Sequence, residues 1–144
     1  MEPLMPGSLE SVLQRARVAC LATCGDGQPY VSLMNVTYCR QERTVLMSTR
    51  RDSTKFRNLA RNPRGALLVQ DGSGPTARAV TLLGVVRVLE GTEDARARLL
   101  HLAAHPQSAH FIQGAEIAML AMSVERAVMS DQLDRVTVWP PEHP

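Results

Sequence analysis

The chain has 144 residues, with 16 Lys+Arg against 14 Asp+Glu and a formal net charge of +2. That length fits one domain able to bury a real core, and so small a charge excludes nucleic-acid recognition by bulk electrostatics. Aromatic residues make up 3% of the chain, too few for the stacking platforms that bind single strands.

Residues 1–7, MEPLMPG, read as a flexible lead-in without the basic and apolar regions of a signal peptide. Ser8 can cap a short helix over Leu9–Arg15, with Leu9, Val12 and Leu13 on one face. RVACLAT (17–23) predicts a strand, Cys24-Gly25-Asp26-Gly27-Gln28 a turn, and PYVSLMNVTY (29–38) the returning strand of a hairpin. Alternation puts Tyr30, Ser32, Met34, Val36 and Tyr38 on one face, and Val31, Leu33, Asn35 and Thr37 on the other. After a polar turn at 39–43, Thr44–Met47 is the next strand.

The most informative stretch begins there. The chain turns through Ser48-Thr49-Arg50-Arg51-Asp52-Ser53, and Asp52 or Ser53 can cap a helix running to about Arg61. Asn62-Pro63 stops it, and Gly65–Val69 is a further strand. Strand, polar loop and capped helix together build an anion site, because free N–H groups and the helix dipole point at the ligand. Ser48, Thr49, Ser53 and Thr54 supply hydroxyls, and Arg50 and Lys55 supply cations. A capped, solvated basic helix would show the same pattern, since Arg50, Arg51, Lys55, Arg57, Arg61 and Arg64 cluster here. A phosphorylated cofactor suits such a wall, with strand edges to hold a flat ring.

Asp71-Gly72-Ser73-Gly74-Pro75 reads as a loop, and Ala77–Glu90 as a long strand in which Gly84 marks a bulge or bend. Thr92-Glu93-Asp94 caps a helix to about Ala104, with Leu99, Leu100 and Ala103 as its apolar face. Pro106 ends that helix, and a short helical piece covers 107–113. Residues 116–129 fit helix or strand equally by periodicity; Leu133–Trp139 is a last strand and 140–144 a flexible end. One domain over 8–139 with six or more antiparallel strands and few short helices argues for a small β-barrel.

His101 and His105 have zinc-protease spacing and His110 lies nearby, but the glutamate such a site needs is missing. Packed or solvated histidines account for them, and no metal is expected. Cys20, Cys24 and Cys39 are an odd, sparse set that fits reduced thiols, Cys20 in the core and Cys24 in a turn. Asp131 and Asp134 read as turn residues. No apolar run reaches membrane-spanning length, so a cytoplasmic protein with no membrane partner is expected. No side chain stands out as able to perform redox or acyl chemistry unaided, as expected where a cofactor carries it.

Three segments carry a resemblance: ACLATCGDGQPYVSLMNV (19–36), MSTRRDSTKFRNLARNPRGALLV (47–69) and TLLGVVRVLEG (81–91). They resemble the pyridoxamine 5′-phosphate oxidase-like FMN-binding split barrels, from about Arg17 to Trp139. AAHPQSAHF (103–111) and VERAV (124–128) are similar more narrowly to the haem-utilisation branch. The resemblance implies a mainly β, α+β fold: a six-stranded antiparallel split β-barrel of the FMN-binding type. In it 116–129 is strand, with a turn at Ser123–Arg126. It further implies a homodimer with the cofactor at the subunit interface. Ser32, Leu33, Met34 and Asn35 match the strand lining the isoalloxazine and ribityl chain, and Ser48 and Thr49 the ring edge. Ser53, Thr54 and Lys55 match the phosphate-holding turn.

Two departures stand out. Thr54 occupies the place of a phosphate-binding arginine, leaving Arg50 or Arg51 as substitutes, and Ala79 replaces a flavin-contacting glutamine. The C-terminal arginine and histidine that read a pyridoxamine phosphate substrate have no counterpart in VTVWPPEHP, so vitamin B6 oxidation is not expected. The C-terminal extension that carries the axial histidine of haem-degrading members is likewise not expected, and His143 is a poor stand-in. The leading expectation is an FMN-dependent oxidoreductase acting on a small molecule, with a deazaflavin as the alternative cofactor. From another class come a non-enzymatic haem or tetrapyrrole binder and a barrel that only dimerises.

Overall fold

Branched and apolar residues at alternate positions, punctuated by glycine and polar turns, form a single curled antiparallel sheet. A computed structural model describes residues 3–141. The elements are α1 (Gly7–Arg15), β1 (Val18–Thr23), β2 (Tyr30–Asn35), β3 (Thr37–Cys39), β4 (Thr44–Arg50), α2 (Thr54–Arg61) and β5 (Arg64–Asp71). After a 3₁₀ turn at Gly74–Thr76 come β6 (Arg78–Val88), α3 (Gly91–Ala104), a 3₁₀ turn at Pro106–Ser108, α4 (Ala109–Ile112), β7 (Ile117–Asp131) and β8 (Val136–Trp139). Strand order is β2-β1-β5-β6-β7-β4-β3, with β8 paired to β7. The two ends of that order, β2 and β3, are joined through Val36, so the sheet curls until chain neighbours meet.

Inward residues of this half-barrel form the main core, with Leu21, Met47, Leu67, Leu82 and Met122 fully buried. Helix α1 adds Leu9, Val12 and Leu13 to the same cluster. A second, smaller core lies on the outer side of β4 and β7, where Leu46, Met119 and Ala121 meet Ala97 and Ile112 of α3 and α4. Near the N-terminus Trp139 Nε1–H donates to Pro3 O at 3.0 Å, and Met5 packs on the core.

Several expectations need correction. The described residues form eight strands rather than six. The strand predicted over 29–38 is divided at Val36 into β2 and β3: Val36 N–H still bonds Arg17 O at 3.0 Å, one step beyond the β1–β2 pairs, and from Thr37 the chain pairs with β4 instead. No turn interrupts 123–126: β7 runs straight through, and the polar residues there mark a bulge. Leu83 faces Arg126 and Gly84 faces Val124, so Glu125 is the extra residue. Gly84 is required at this point, since a Cβ would stand 2.0 Å from Ser123 O. Helix α1 starts at Gly7 after Pro6, with Ser8 inside it instead of capping it. Helix α3 buries Ala97 and His101, whereas Leu99 is 69% exposed; the packed stripe is set by the small Ala97 and by hydrogen-bonded His101. Cys20 is half-buried on the outer sheet face, not in the core. His143 lies outside the described residues. Among those described, no helix is long and apolar enough to cross a membrane.

Candidate functional site

The candidate site is a place where a β-ladder stops. Strands β3 and β4 pair Cys39 with Thr44, Tyr38 with Val45 and Thr37 with Leu46. Continued in that register, the ladder would set Asn35 against Ser48, Met34 against Thr49 and Leu33 against Arg50. None of these pairs forms: β2 pairs with β1, and pairing with β4 begins only at Thr37, past the break at Val36. The gap is a cavity of ≈ 320 Å³ lined by those six residues with Ser53, Lys55, Ser108 and Phe111. On its other edge β2 pairs with β1 and β4 with β7, so the edges facing the cleft carry backbone N–H and C=O groups outside any ladder.

One end of the cleft is the start of α2. Ser53 caps it, accepting from Phe56 N–H at 3.2 Å, and its Oγ lies 2.9 Å from Thr49 Oγ1. Arg57 N–H is satisfied by Ser53 O, which leaves the N–H groups of Thr54 and Lys55 without an acceptor among the described residues. Lys55 is half-buried, lines the cavity and has no carboxylate partner among the described residues. An unpaired ammonium beside two orphan N–H groups at a helix N-terminus is an anion-binding arrangement.

Two arginines stand nearby. Arg50 lines the cavity but is engaged by Asp52 at 3.0 Å and Glu116 at 3.4 Å. The hydrogen bond to Asp52 raises the Arg50 pKa, and the same contact holds the Asp52 carboxyl below its ordinary value. Arg51 is exposed over the Phe56 ring, 6.0 Å from its centroid.

Helix α2 is held in register by two asparagines. Asn58 Nδ2 donates to Thr23 Oγ1 and Asn62 Nδ2 to Cys24 O, each at 3.1 Å. Gly25 admits this contact, because a Cβ there would lie 2.8 Å from Asn58 Cα.

The third wall comes from the segment after α3. His105 Nε2–H donates to Val36 O at 2.8 Å, and His101 Nδ1 lies 2.8 Å from Thr37 Oγ1. The two rings, 4.8 Å apart, therefore clamp the end of α3 onto the kink between β2 and β3. That clamp sets Ser108 beside Asn35, whose Nδ2 lies 3.4 Å from Ser108 Oγ, and brings Phe111 over the cleft. Burial, and then His105, lower the His101 pKa to about 4.

Of the ten residues singled out in the sequence, the structure gathers eight around one cavity: Leu33, Met34, Asn35, Ser48, Thr49, Arg50, Ser53 and Lys55. Ser32 is outside the lining, its hydroxyl turned toward Met34 Sδ at 3.9 Å. The Thr54 side chain is also outside, accepting from Arg57 at 3.2 Å. Ser108 and Phe111 were not anticipated; the His101/His105 pair was the signal that could have located them.

A family model described as pyridoxamine 5′-phosphate oxidase matches residues 5–139. A Schizosaccharomyces pombe protein described as a pyridoxamine 5′-phosphate oxidase homolog is 27% identical over 170 residues, covering 93% of this chain and 90% of its own. The structure of a haem-binding protein from Mycobacterium smegmatis superimposes with a TM-score of 0.78 at 26% identity over 94% of this chain. The chain spans 59% of the length of that protein. An FAD-binding protein from Mesorhizobium loti shares the fold, with a TM-score of 0.73 at 20% identity over 88% of this chain and 94% of its own. The chain belongs to the pyridoxamine 5′-phosphate oxidase family.

Proposed function

We propose that this chain binds FMN in the β2/β4 cleft and works as a homodimeric, FMN-dependent oxidoreductase on a small organic molecule. One observation carries the reading: an unzipped ladder that ends at a half-buried, unpaired Lys55 on the N-terminus of α2. Lys55 and the N–H groups of Thr54 and Lys55 hold the phosphate, and Ser53 and Thr49 orient it. Backbone groups of Leu33–Asn35 and Ser48–Thr49, with Phe111, would hold the flat ring. When bound, the flavin supplies hydride or electron transfer, which no side chain of the cleft offers.

The dimer reading rests on the outer sheet face. By register Leu33 sits beside Cys20, Cys20 beside Leu68, Leu68 beside Thr81 and Thr81 beside Val128. Val31, Leu33 and Leu68 on this face are 64%, 72% and 47% exposed. A continuous apolar band of this kind suits a second copy. Leu33 also lines the cleft, so a copy seated there would border the cofactor.

The test is a titration of the flavin-stripped protein with FMN and with riboflavin. FMN binds more tightly than riboflavin, and Lys55→Ala weakens FMN about 10- to 100-fold, the scale of one charged hydrogen bond, while leaving riboflavin unchanged. Equal affinity for FMN and riboflavin in the unaltered protein would move the phosphate elsewhere. A second reading, a haem-binding module without turnover, is favoured by the 26% identity to a haem-binding protein. Among the described residues no histidine lines the cleft to serve as an axial ligand. The spectrum of the protein as purified separates the two, flavin bands against a Soret band, and a deazaflavin is distinguished from FMN by the same spectrum.

A further inference from the structure

Arg57 is an exposed residue of α2, yet its guanidinium is fixed in place. Nη1–H donates to Asp52 O at 2.6 Å and Nη2–H to Thr54 Oγ1 at 3.2 Å. Both acceptors belong to the turn that starts the helix, so the side chain folds back toward the N-terminus, the direction helical side chains take. Two contacts orient the planar fork and leave most of its N–H donors unspent. Among the described residues no ion pair accounts for its charge. Asp52, the acid beside it, is engaged by Arg50 at 3.0 Å; Arg50 is the main cause of its low pKa and Arg57 the least.

Thr54 gives this placement its meaning. Its hydroxyl holds Arg57, and its backbone N–H is one of the two without an acceptor at the start of α2. Residues two apart on a helix lie on nearly opposite sides of the axis. Lys55 therefore flanks those N–H groups from the cavity, and Arg57 from the solvent side. A phosphate monoester carries a charge of about −1.5 to −2 near neutral pH, which the single ammonium of Lys55 leaves partly unmatched. Arg50 is spent on Asp52 and Glu116, and Arg51 lies over Phe56. Arg57 is the oriented cation left to match the remainder.

We propose that Arg57 is the second cation of the phosphate site and that Thr54 is the residue that positions it. The inference rests on the FMN reading of the cleft and adds to it a grip from two sides, Lys55 within and Arg57 at the outer lip. Arg57 touches the ligand; Thr54 acts through Arg57.

The test is titration of the flavin-stripped full chain with FMN and with riboflavin, read by flavin fluorescence. Arg57→Ala is expected to weaken FMN about 3- to 10-fold, less than Lys55→Ala because Arg57 is exposed, and to leave riboflavin unchanged. Thr54→Val, which keeps the side chain's shape without its hydroxyl, gives a smaller loss for FMN alone. Thr54→Ser restores FMN affinity, and Thr54→Val costs nothing further once Arg57 is alanine. Added salt screens an exposed charge, so it narrows the preference for FMN over riboflavin more in the unaltered protein than in Arg57→Ala. A merely structural role would move both flavins alike and leave the salt response unchanged. If the unaltered protein prefers FMN but Arg57→Ala binds it at full strength, or loses both flavins equally, or if the Thr54 and Arg57 losses simply add, the inference is overturned while the cleft reading stands. An unaltered protein with no preference for FMN over riboflavin overturns both.

Discussion

Acid is expected to weaken this fold through one side chain before its carboxylates protonate. His101 is fully buried; Nδ1 is bonded to Thr37 Oγ1, and Nε2 has no partner. Protonation would bury a cation with an orphan N–H beside a second imidazole, which is why its pKa falls from 6.5 to about 4. The sign follows from that direction. The folded state holds this proton less tightly than the unfolded chain. The contribution is therefore complete above the unfolded value of 6.5 and is lost as the pH falls toward about 4. Each pKa unit is worth about 1.4 kcal/mol, so the full loss is about 3 kcal/mol, of which about 2 kcal/mol is gone by about pH 5. Urea unfolding of the unaltered protein and of His101→Gln, at one protein concentration and several pH values between 7 and about 4.5, isolates the term. Every other titratable group is common to both proteins, so only the difference in slope belongs to His101. Equal slopes would refute the assignment, as would stability that does not change across this window.

Two further substitutions address the cleft and the sheet face. Gly25→Ala places a Cβ 2.8 Å from Asn58 Cα, so α2 must shift. FMN affinity is expected to drop about tenfold, since small displacements of a binding group are costly; fluorescence quenching on titration with FMN reads it, against a far-ultraviolet spectrum that stays native. Leu68→Asp puts a charge in the middle of the exposed apolar band without touching the cleft. Sedimentation is expected to show monomers, and an unchanged dimer would place the interface on another face.

What could be read in advance was local. Ser53 as a cap, Asn62-Pro63 as a stop and Gly84 as a bulge each follow from the conformation one residue type favours, and the fold uses all three. The cleft is different in kind. It depends on where a ladder between 37–39 and 44–46 ceases, and alternation reports which face a side chain takes, not how far pairing extends. The resemblance placed the right strands together but carried neighbours along with them. It included Ser32, whose hydroxyl turns to Met34 Sδ, and Thr54, whose hydroxyl turns to Arg57, and both lie outside the cavity lining. Ser108 and Phe111 lie in short helical turns with no periodic signal of their own. Their position is dictated from a distance by His101 and His105, whose spacing suggested metal binding but serves hydrogen bonds to the kink.

In the proposed dimer, the break at Val36 would tie assembly to ligand binding. Because β2 pairs with β1 while pairing with β4 begins only at Thr37, β2 has one edge facing the cleft and one face carrying Val31 and Leu33 outward. Leu33 belongs to both surfaces, so a copy covering that face also closes one side of the cavity. Two binding events that share a wall are thermodynamically linked: whatever factor dimerisation adds to FMN affinity, FMN must add to dimer affinity. The Leu68→Asp protein, altered on the sheet face alone, then binds FMN more weakly although every cleft residue is intact. FMN in turn shifts the dimerisation midpoint of the unaltered protein by the reciprocal factor. A monomeric Leu68→Asp protein that binds FMN at full strength would break the link and make the cleft of one chain a complete site.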